Sequence, residues 1–286
     1  MSRVYDALQQ CIPEGAFEWT APESKVDGLF SQQFGDSVWD PESVPVLELS
    51  LADAERVPMW SAPGSFASEQ FRLLATRLQH LQEARPLKSA LLTSSVEGEG
   101  KSMLAMNLAI SLAQGSQRRV LIVDAELRKP GFSGMLNLGK QKGLKDWYEC
   151  HRPLPEFVYK LGDLNFWVLP AGQAPVDPMK LLSSPHLPDL HAFLTATFDW
   201  VLIDAPPLIP LADAEILSRI ADATLLVVRR DKTPKRALKE ALDRVAPSKM
   251  AGFLLNEFPS AGTYGSTKES GKHVEPAVPQ QPLQTA

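Results

Sequence analysis

From about Ser65 to Phe258 the chain alternates unbroken apolar runs with stretches of helical periodicity. "SEQFRLLATRLQHLQEA" places Phe71, Leu74, Leu78 and Leu81 at helical spacing, with Ser68 positioned to cap its start. "LKSALLTSS" then reads as a buried strand, and "KSMLAMNLAISLAQG" as a helix ending at Gly115. "RRVLIVDAE", "FDWVLIDAPP", "ATLLVVRRD" and "MAGFLLNEF" read as further strands, with helices at "DAEILSRIA" and "PKRALKEALDRVA" between the last three. Strands that are apolar without alternation are covered on both faces. The pattern therefore predicts an α/β fold with a mostly parallel sheet and crossover helices on both faces.

The flanks differ from this middle zone, which is expected to form one domain over residues 65–258. Residues 1–64 are acidic and rich in Pro, Ser and Trp, and are expected to be a loosely ordered extension. Within them "VPVLELSL" (Val44 to Leu51) alternates like a strand, and "SRVYDALQQ" places Val4 and Leu8 on one face of a short helix. Residues 259–286 are rich in Pro, Gly, Ser, Gln and Thr. Too few of them are apolar to offset the entropy of ordering, which predicts a flexible tail.

Composition narrows the function classes. The formal net charge of -5 gives no electrostatic reason to expect a nucleic-acid partner. Cys11 and Cys150 stand in no metal-ligand spacing, and their number gives no disulfide framework. This suits a cytoplasmic protein. The N-terminus lacks the apolar core of a signal peptide, and no stretch approaches the ~20 apolar residues that span a bilayer. Work at a membrane is therefore expected to go through a partner.

The chemistry concentrates between the first strand of the domain and the helix after it, in "LLTSSVEGEGKSMLAMNLA" (Leu91 to Ala109). The spacing is that of the phosphate loop G-x-x-x-x-G-K-[ST], with Ser95 in place of the first glycine. Gly98 and Gly100 allow successive amides to turn into one anion nest, backed by the N-terminus of the following helix. Lys101 is placed to reach the β- and γ-phosphates, and Ser102 to ligate Mg²⁺. Ser95, Glu97, Gly98, Glu99, Gly100, Lys101, Ser102 and Met103 together form the expected nucleotide-binding segment. Because backbone amides build the nest, Ser95 can replace glycine if its φ is negative, and Glu97 and Glu99 are expected to point to solvent. A lysine ~4 Å from a phosphate charge gains ~4 kcal/mol at an effective dielectric of ~20, while an exposed acid ~8–10 Å away costs only ~0.5 kcal/mol.

Two acids end apolar strands: Asp124, followed by Glu126 and Arg128, and Asp204. In an open parallel sheet ligands bind beyond the carboxyl ends of the strands, so both should converge on the loop. Each is a candidate Mg²⁺ ligand together with Ser102. One can hold the metal while the other accepts a proton from an attacking hydroxyl. Lys101, Asp124 and Asp204 are the candidate catalytic residues.

Taken together, "SSVEGEGKS", "VLIVDAELRKP", "FDWVLIDAPPL" and "LPAGQAPVDPMKLLSS" resemble the bacterial tyrosine kinases of capsule and exopolysaccharide synthesis. That family lies within the deviant-Walker P-loop ATPases. The resemblance implies a P-loop NTPase-like fold using ATP and Mg²⁺, with Lys101 and Ser102 on the nucleotide and metal. It makes Asp124 the base or metal organiser and Asp204 the metal-linked acid, and it places Asn256 where such folds recognise adenine. It also implies a membrane polysaccharide chain-length or export protein as partner, a tail tyrosine as phosphoacceptor, and a homo-oligomer built through E-x-x-R-x-x-R. Here Tyr264 is the tail's one tyrosine, and Glu69 and Arg72 fit the oligomer motif while Ala75 holds the place of its last arginine. Glu126 replaces the family's usual second Asp. Val96 stands where partitioning ATPases usually carry lysine, which favours the kinase branch over a partitioning ATPase for DNA or protein cargo. The competing expectation is an ATP-switched interaction protein without kinase activity.

Overall fold

The computed structural model describes residues 39–48, 57–114, 118–138 and 140–257. An eight-stranded sheet runs through it in the order β1-β4-β5-β3-β6-β2-β7-β8. In chain order the strands are β1 (Val46–Leu47), β2 (Ser89–Ser94), β3 (Val120–Asp124), β4 (Tyr159–Leu161), β5 (Phe166–Leu169), β6 (Trp200–Asp204), β7 (Ala223–Arg229) and β8 (Met250–Asn256). All neighbours pair in parallel except β4 and β5.

Side chains on successive strand residues alternate between two cores, as the pleat requires. Ala90, Leu92, Val120, Ile122, Trp200 and Leu202 face one core. Leu91, Leu121, Val123, Val201 and Ile203 face the other. The first core is covered by α1 (Pro58–Ser61), α2 (Phe66–Ala84), α3 (Lys101–Gln114) and α4 (Phe132–Met135). The second is covered by α5 (Leu144–Cys150), α6 (Pro178–Leu182), α7 (Leu187–Thr197), α8 (Asp213–Ile220) and α9 (Lys235–Asp243). A sheet with helices on both faces is what unbroken apolar strands require.

Helix α3 is buried on nearly every side, from Leu104 to Ala113. It lies under α2 and α1, so a polar face would have no water to meet. Its buried Asn107 accepts from the Met59 amide at 3.1 Å and donates to Met103 O at 2.8 Å, which fixes α1 on top of it. Helix α2 starts two residues before the expected stretch. Its cap is Ser65, whose hydroxyl accepts from the Ser68 amide at 3.2 Å, rather than Ser68. The Ser68 hydroxyl instead donates back to Pro63 O and Ser65 O, at 2.7 and 2.8 Å.

Part of the zone expected to be loosely ordered is packed into this body. Strand β1 extends the sheet beside β4, and Val44, Val57 and Met59 are buried. Trp39 stacks on Phe193 with ring centroids 5.7 Å apart, and Pro41 O accepts from the Trp167 indole at 2.8 Å. Aromatic burial of this size outweighs the acidic, proline-rich character of the segment. The antiparallel pair β4–β5 was not among the expected strands. It is short, and its turn at Gly162, with φ +55, joins runs of only three and four residues. The expected helix at the N-terminus, Cys11, Gly115, residues 49–51 of the expected first strand and the tail with Tyr264 lie outside the described residues.

Candidate functional site

Strand β2 lies in the sheet interior between β6 and β7, and all six of its residues are buried. The phosphate loop leaves its carboxyl end and leads directly into α3 at Lys101. Gly98 and Gly100 take φ +78 and +91, a region that side chains rarely adopt. Ser95 is not among the positive-φ residues, so a serine fits where the pattern has glycine. Gly100 has a second reason to lack a side chain: a Cβ there would stand 2.3 Å from Nδ2 of Asn256.

The two loop glutamates behave differently. Glu97 is exposed, as expected. Glu99 is not: it is 2% exposed and folds back into the loop. Its Oε2 accepts from the Ser95 amide at 2.9 Å and the Val96 amide at 3.5 Å, and its Oε1 accepts from the Thr233 hydroxyl. The expectation of a solvent-facing Glu99 fails because the loop's first two amides need an acceptor, and this carboxylate is within reach of both. Nothing in the local spacing pointed to Thr233, which lies far along the chain.

Lys101 is almost fully buried, with Nζ 3.5 Å from Oε2 of Glu126. Burial raises the pKa of Glu126, and the Lys101 charge counteracts it. Met103 is partly buried against the core, its Cε 3.8 Å from a would-be Gly100 Cβ.

Asp124 and Asp204 end adjacent strands in direct register, and both are fully buried. Asp124 Oδ2 accepts from the Ser133 amide at 3.1 Å and the Ser133 hydroxyl at 2.6 Å, and Oδ1 accepts from the Glu126 amide at 3.3 Å. Burial raises its pKa to about 6, while the hydrogen bonds from Ser133 hold it down. Asp204 is pushed well above the usual carboxylate range, first by burial and then by the charge of Asp124. Neither of its oxygens has a hydrogen bond of ordinary geometry, although Ser102 lies alongside. Gly131, in the segment after β3, closes over this pair. A Cβ there would stand 2.1 Å from Ser102 Oγ and 2.9 Å from Asp204 Oδ2.

Among the described residues no group of three His, Cys, Asp or Glu could hold a metal alone. Mg²⁺ does not need one: it usually takes one or two carboxylates and completes its shell with phosphate oxygens and water. Buried carboxylate oxygens without hydrogen bonds, beside a hydroxyl and an amide nest, fit such a shared site. A cavity of about 830 Å³ lies at the opposite ends of the strands, among Arg85, Lys88, Asp199 and Asp222, remote from this cluster.

The remaining candidates are placed as follows. Asn256 ends β8 and donates from Nδ2 to Glu99 O at 2.9 Å, while its Oδ1 accepts from the Glu257 amide at 2.8 Å. The structure thus brings Asn256 to the loop as a brace on its backbone. Arg128 grips Asp213 at the start of α8 through Nε and Nη2, at 3.1 and 3.3 Å. Glu69 and Arg72 pair with each other on the exposed side of α2, and Ala75 is buried in the core. Ser133, Gly131, Thr233 and Arg229 were not legible as site residues, because only the folded chain brings them to the loop and the strand ends.

No protein-family model matches the chain. A tyrosine-protein kinase of Bacillus subtilis (strain 168), YwqD, is 35% identical over 196 residues, covering 68% of this chain and 82% of that one. The succinoglycan biosynthesis transport protein ExoP of Rhizobium meliloti (strain 1021) is 30% identical over 201 residues, covering 68% of this chain but 25% of that one. Among solved structures, the BceF tyrosine kinase domain superposes with a TM-score of 0.65 at 28% identity, over 76% of this chain and 94% of that one. Sequence identity over most of both chains and the shared fold lead to one conclusion: the chain belongs to the bacterial tyrosine-protein kinase family.

Proposed function

We propose that the chain is an MgATP-dependent protein-tyrosine kinase that regulates the polymerisation and export of an exopolysaccharide or capsule. The observation that carries this reading is the convergence of the amide loop, Lys101, Ser102, Asp124 and Asp204 at one end of the sheet. Ser102 and Asp204 would hold Mg²⁺, which when bound neutralises phosphate charge. Lys101 exchanges its Glu126 partner for the β- and γ-phosphates. Asp124, with a pKa of about 6, is largely ionised at neutral pH and can take the proton from a tyrosine hydroxyl. The tyrosine oxygen then bonds to the γ-phosphorus as the bond to the β,γ-bridging oxygen breaks, releasing ADP. Positioning and charge neutralisation supply most of the rate.

The proposed phosphoacceptor is Tyr264 in the chain's own tail. The proposed partner is a membrane polysaccharide chain-length or export protein, with this chain at the cytoplasmic face. ExoP supports that pairing: the part that matches this chain is a quarter of a protein named for transport. Among the described residues no helix is long and apolar enough to cross a membrane. Glu69 and Arg72 are proposed as a contact to a second copy, supported by exposed Phe66 and Leu73 on the same helix.

Incubation with MgATP and the cytoplasmic segment of such a partner, followed by anti-phosphotyrosine blotting, tests the reading. Phosphotyrosine that disappears in Lys101→Ala and in Tyr264→Phe supports it. Buried Ala75 and the single tail tyrosine favour a second reading, an ATP-switched interaction protein. Steady ATP hydrolysis with no phosphotyrosine would select it.

A further inference from the structure

The buried carboxylate of Glu99 is out of place on electrostatic grounds alone. It sits within the loop that would receive a polyphosphate, and like charges repel most where water is excluded. Its contacts show what it does there. Oε2 takes the Ser95 and Val96 amides, the first two of the loop. Oε1 takes the Thr233 hydroxyl, whose oxygen in turn accepts from the Arg229 amide at 2.8 Å. The Arg229 guanidinium donates to Gly98 O at 3.1 Å and pairs with Glu257. Asn256 holds the Glu99 carbonyl from below. The loop is thus tied at Ser95, Val96, Gly98 and Glu99 to the ends of β7 and β8 before any ligand arrives.

We infer that Glu99 is a positioning residue for the phosphate loop, with Thr233 and Arg229 as its supports. It consumes the two amides at the start of the loop and keeps the loop curled, so that the remaining amides need little further ordering to receive phosphate. Ordering a loop on binding weakens affinity, and a loop ordered in advance avoids that cost. The inference rests on the nucleotide reading above.

Electrostatics and positioning predict opposite signs, which makes the test decisive. Titration of the full chain with a fluorescent ATP analogue and Mg²⁺ gives Kd without relying on kinase activity. Glu99→Ala removes a negative charge from the loop, so charge alone predicts tighter binding. Positioning predicts weaker binding, by about tenfold, from the two amides left without a buried acceptor. Thr233→Val keeps the charge and removes only the hydroxyl; it should weaken binding by roughly threefold, and Thr233→Ser should restore it. Thermal unfolding of the nucleotide-free variants separates a loop effect from loss of fold. Equal or tighter binding by Glu99→Ala, or a Thr233→Val chain that binds like wild type, overturns the inference and leaves the nucleotide reading intact. A wild-type chain that fails to bind the analogue overturns both.

Discussion

Asp124 and Asp204 face each other across β3 and β6 with both carboxyls shut away from water. Two such groups cannot both ionise cheaply without a cation between or beside them. The pair is therefore a poor structural element and a good place for a divalent ion. Its protonation should be measurable in both rate and stability.

Ser133 tunes the pair. Its amide and hydroxyl both donate to Asp124 and hold its pKa down against burial. Ser133→Ala removes the hydroxyl bond, so the Asp124 pKa should rise above about 6. Phosphotransfer that needs ionised Asp124 should then switch on at higher pH than in wild type. A pH–rate profile that shifts to the alkaline side in Ser133→Ala, with a similar plateau, is the expected result. An unshifted profile would mean that Asp124 is not the titrating group.

Stability gives a second readout with a definite sign. Folding raises the Asp124 pKa from an ordinary 3.8 to about 6, so the folded state holds this proton more tightly than the unfolded state. The contribution is fully present below about pH 4, and is lost as pH rises through the folded pKa of about 6. Asp124→Asn cannot ionise. Its stability relative to wild type should increase across that window, by up to about 3 kcal/mol, and level off above it. Urea denaturation of the nucleotide-free chains at several pH values checks this. Saturating MgATP should reduce the difference by stabilising the ionised pair.

Gly131 packs against Ser102 and Asp204, the residues proposed to hold Mg²⁺. Its φ of -81 suits any residue, so an alanine meets no backbone strain. The added Cβ would instead push on Ser102 Oγ and Asp204 Oδ2. Gly131→Ala should fold, with a near-normal unfolding midpoint, but lose roughly a hundredfold in Mg²⁺-dependent turnover. Raising Mg²⁺ should recover part of the loss.

Among the described residues Lys101 pairs with Glu126 at 3.5 Å, and its charge also acts on Asp204. Lys101→Met should cost at least about a hundredfold in phosphotransfer. Glu126→Gln should act in the opposite direction on binding. It removes the direct ion-pair partner of the buried lysine, which destabilises the free chain. Nucleotide phosphates then relieve more, so MgATP should bind a few-fold tighter and raise the unfolding midpoint by more than in wild type. Weaker MgATP binding by Glu126→Gln would show that Glu126 orients Lys101 rather than competing for it.

The central strands were legible because β2, β3 and β6 are short, carry unbroken apolar runs (90–92, 120–123 and 200–203) and are bounded by polar signals. The strand–loop–helix setting was legible because its signal is local: glycines, lysine and serine stand at fixed spacing between a strand and a helix. Glu99 misled because sequence proximity cannot show which way a side chain turns. Its direction is decided by Thr233, more than a hundred residues away. The same holds for Ser133 and Gly131, which meet Asp124 and Asp204 only once the segment after β3 folds back over the strand ends. The strand at β1 was signalled by the alternation of residues 44–51, but the packing of Trp39 was hidden by composition. Acidic, proline-rich sequence resembles an unstructured extension, yet a single tryptophan stacked on Phe193 and edge-on to Phe198 anchors it.

The position of β2 in the sheet has a consequence for the order in which the molecule opens. Bonded on both sides and buried at every residue, its amides belong with those that exchange with deuterium only on global unfolding. Among the described residues the peripheral strands β1 and β8 have a neighbour on one side only, and should exchange through local fraying. The phosphate loop thus hangs from the part of the protein that comes apart last. As denaturant or temperature rises, the capacity to bind nucleotide should outlast the docking of residues 39–48.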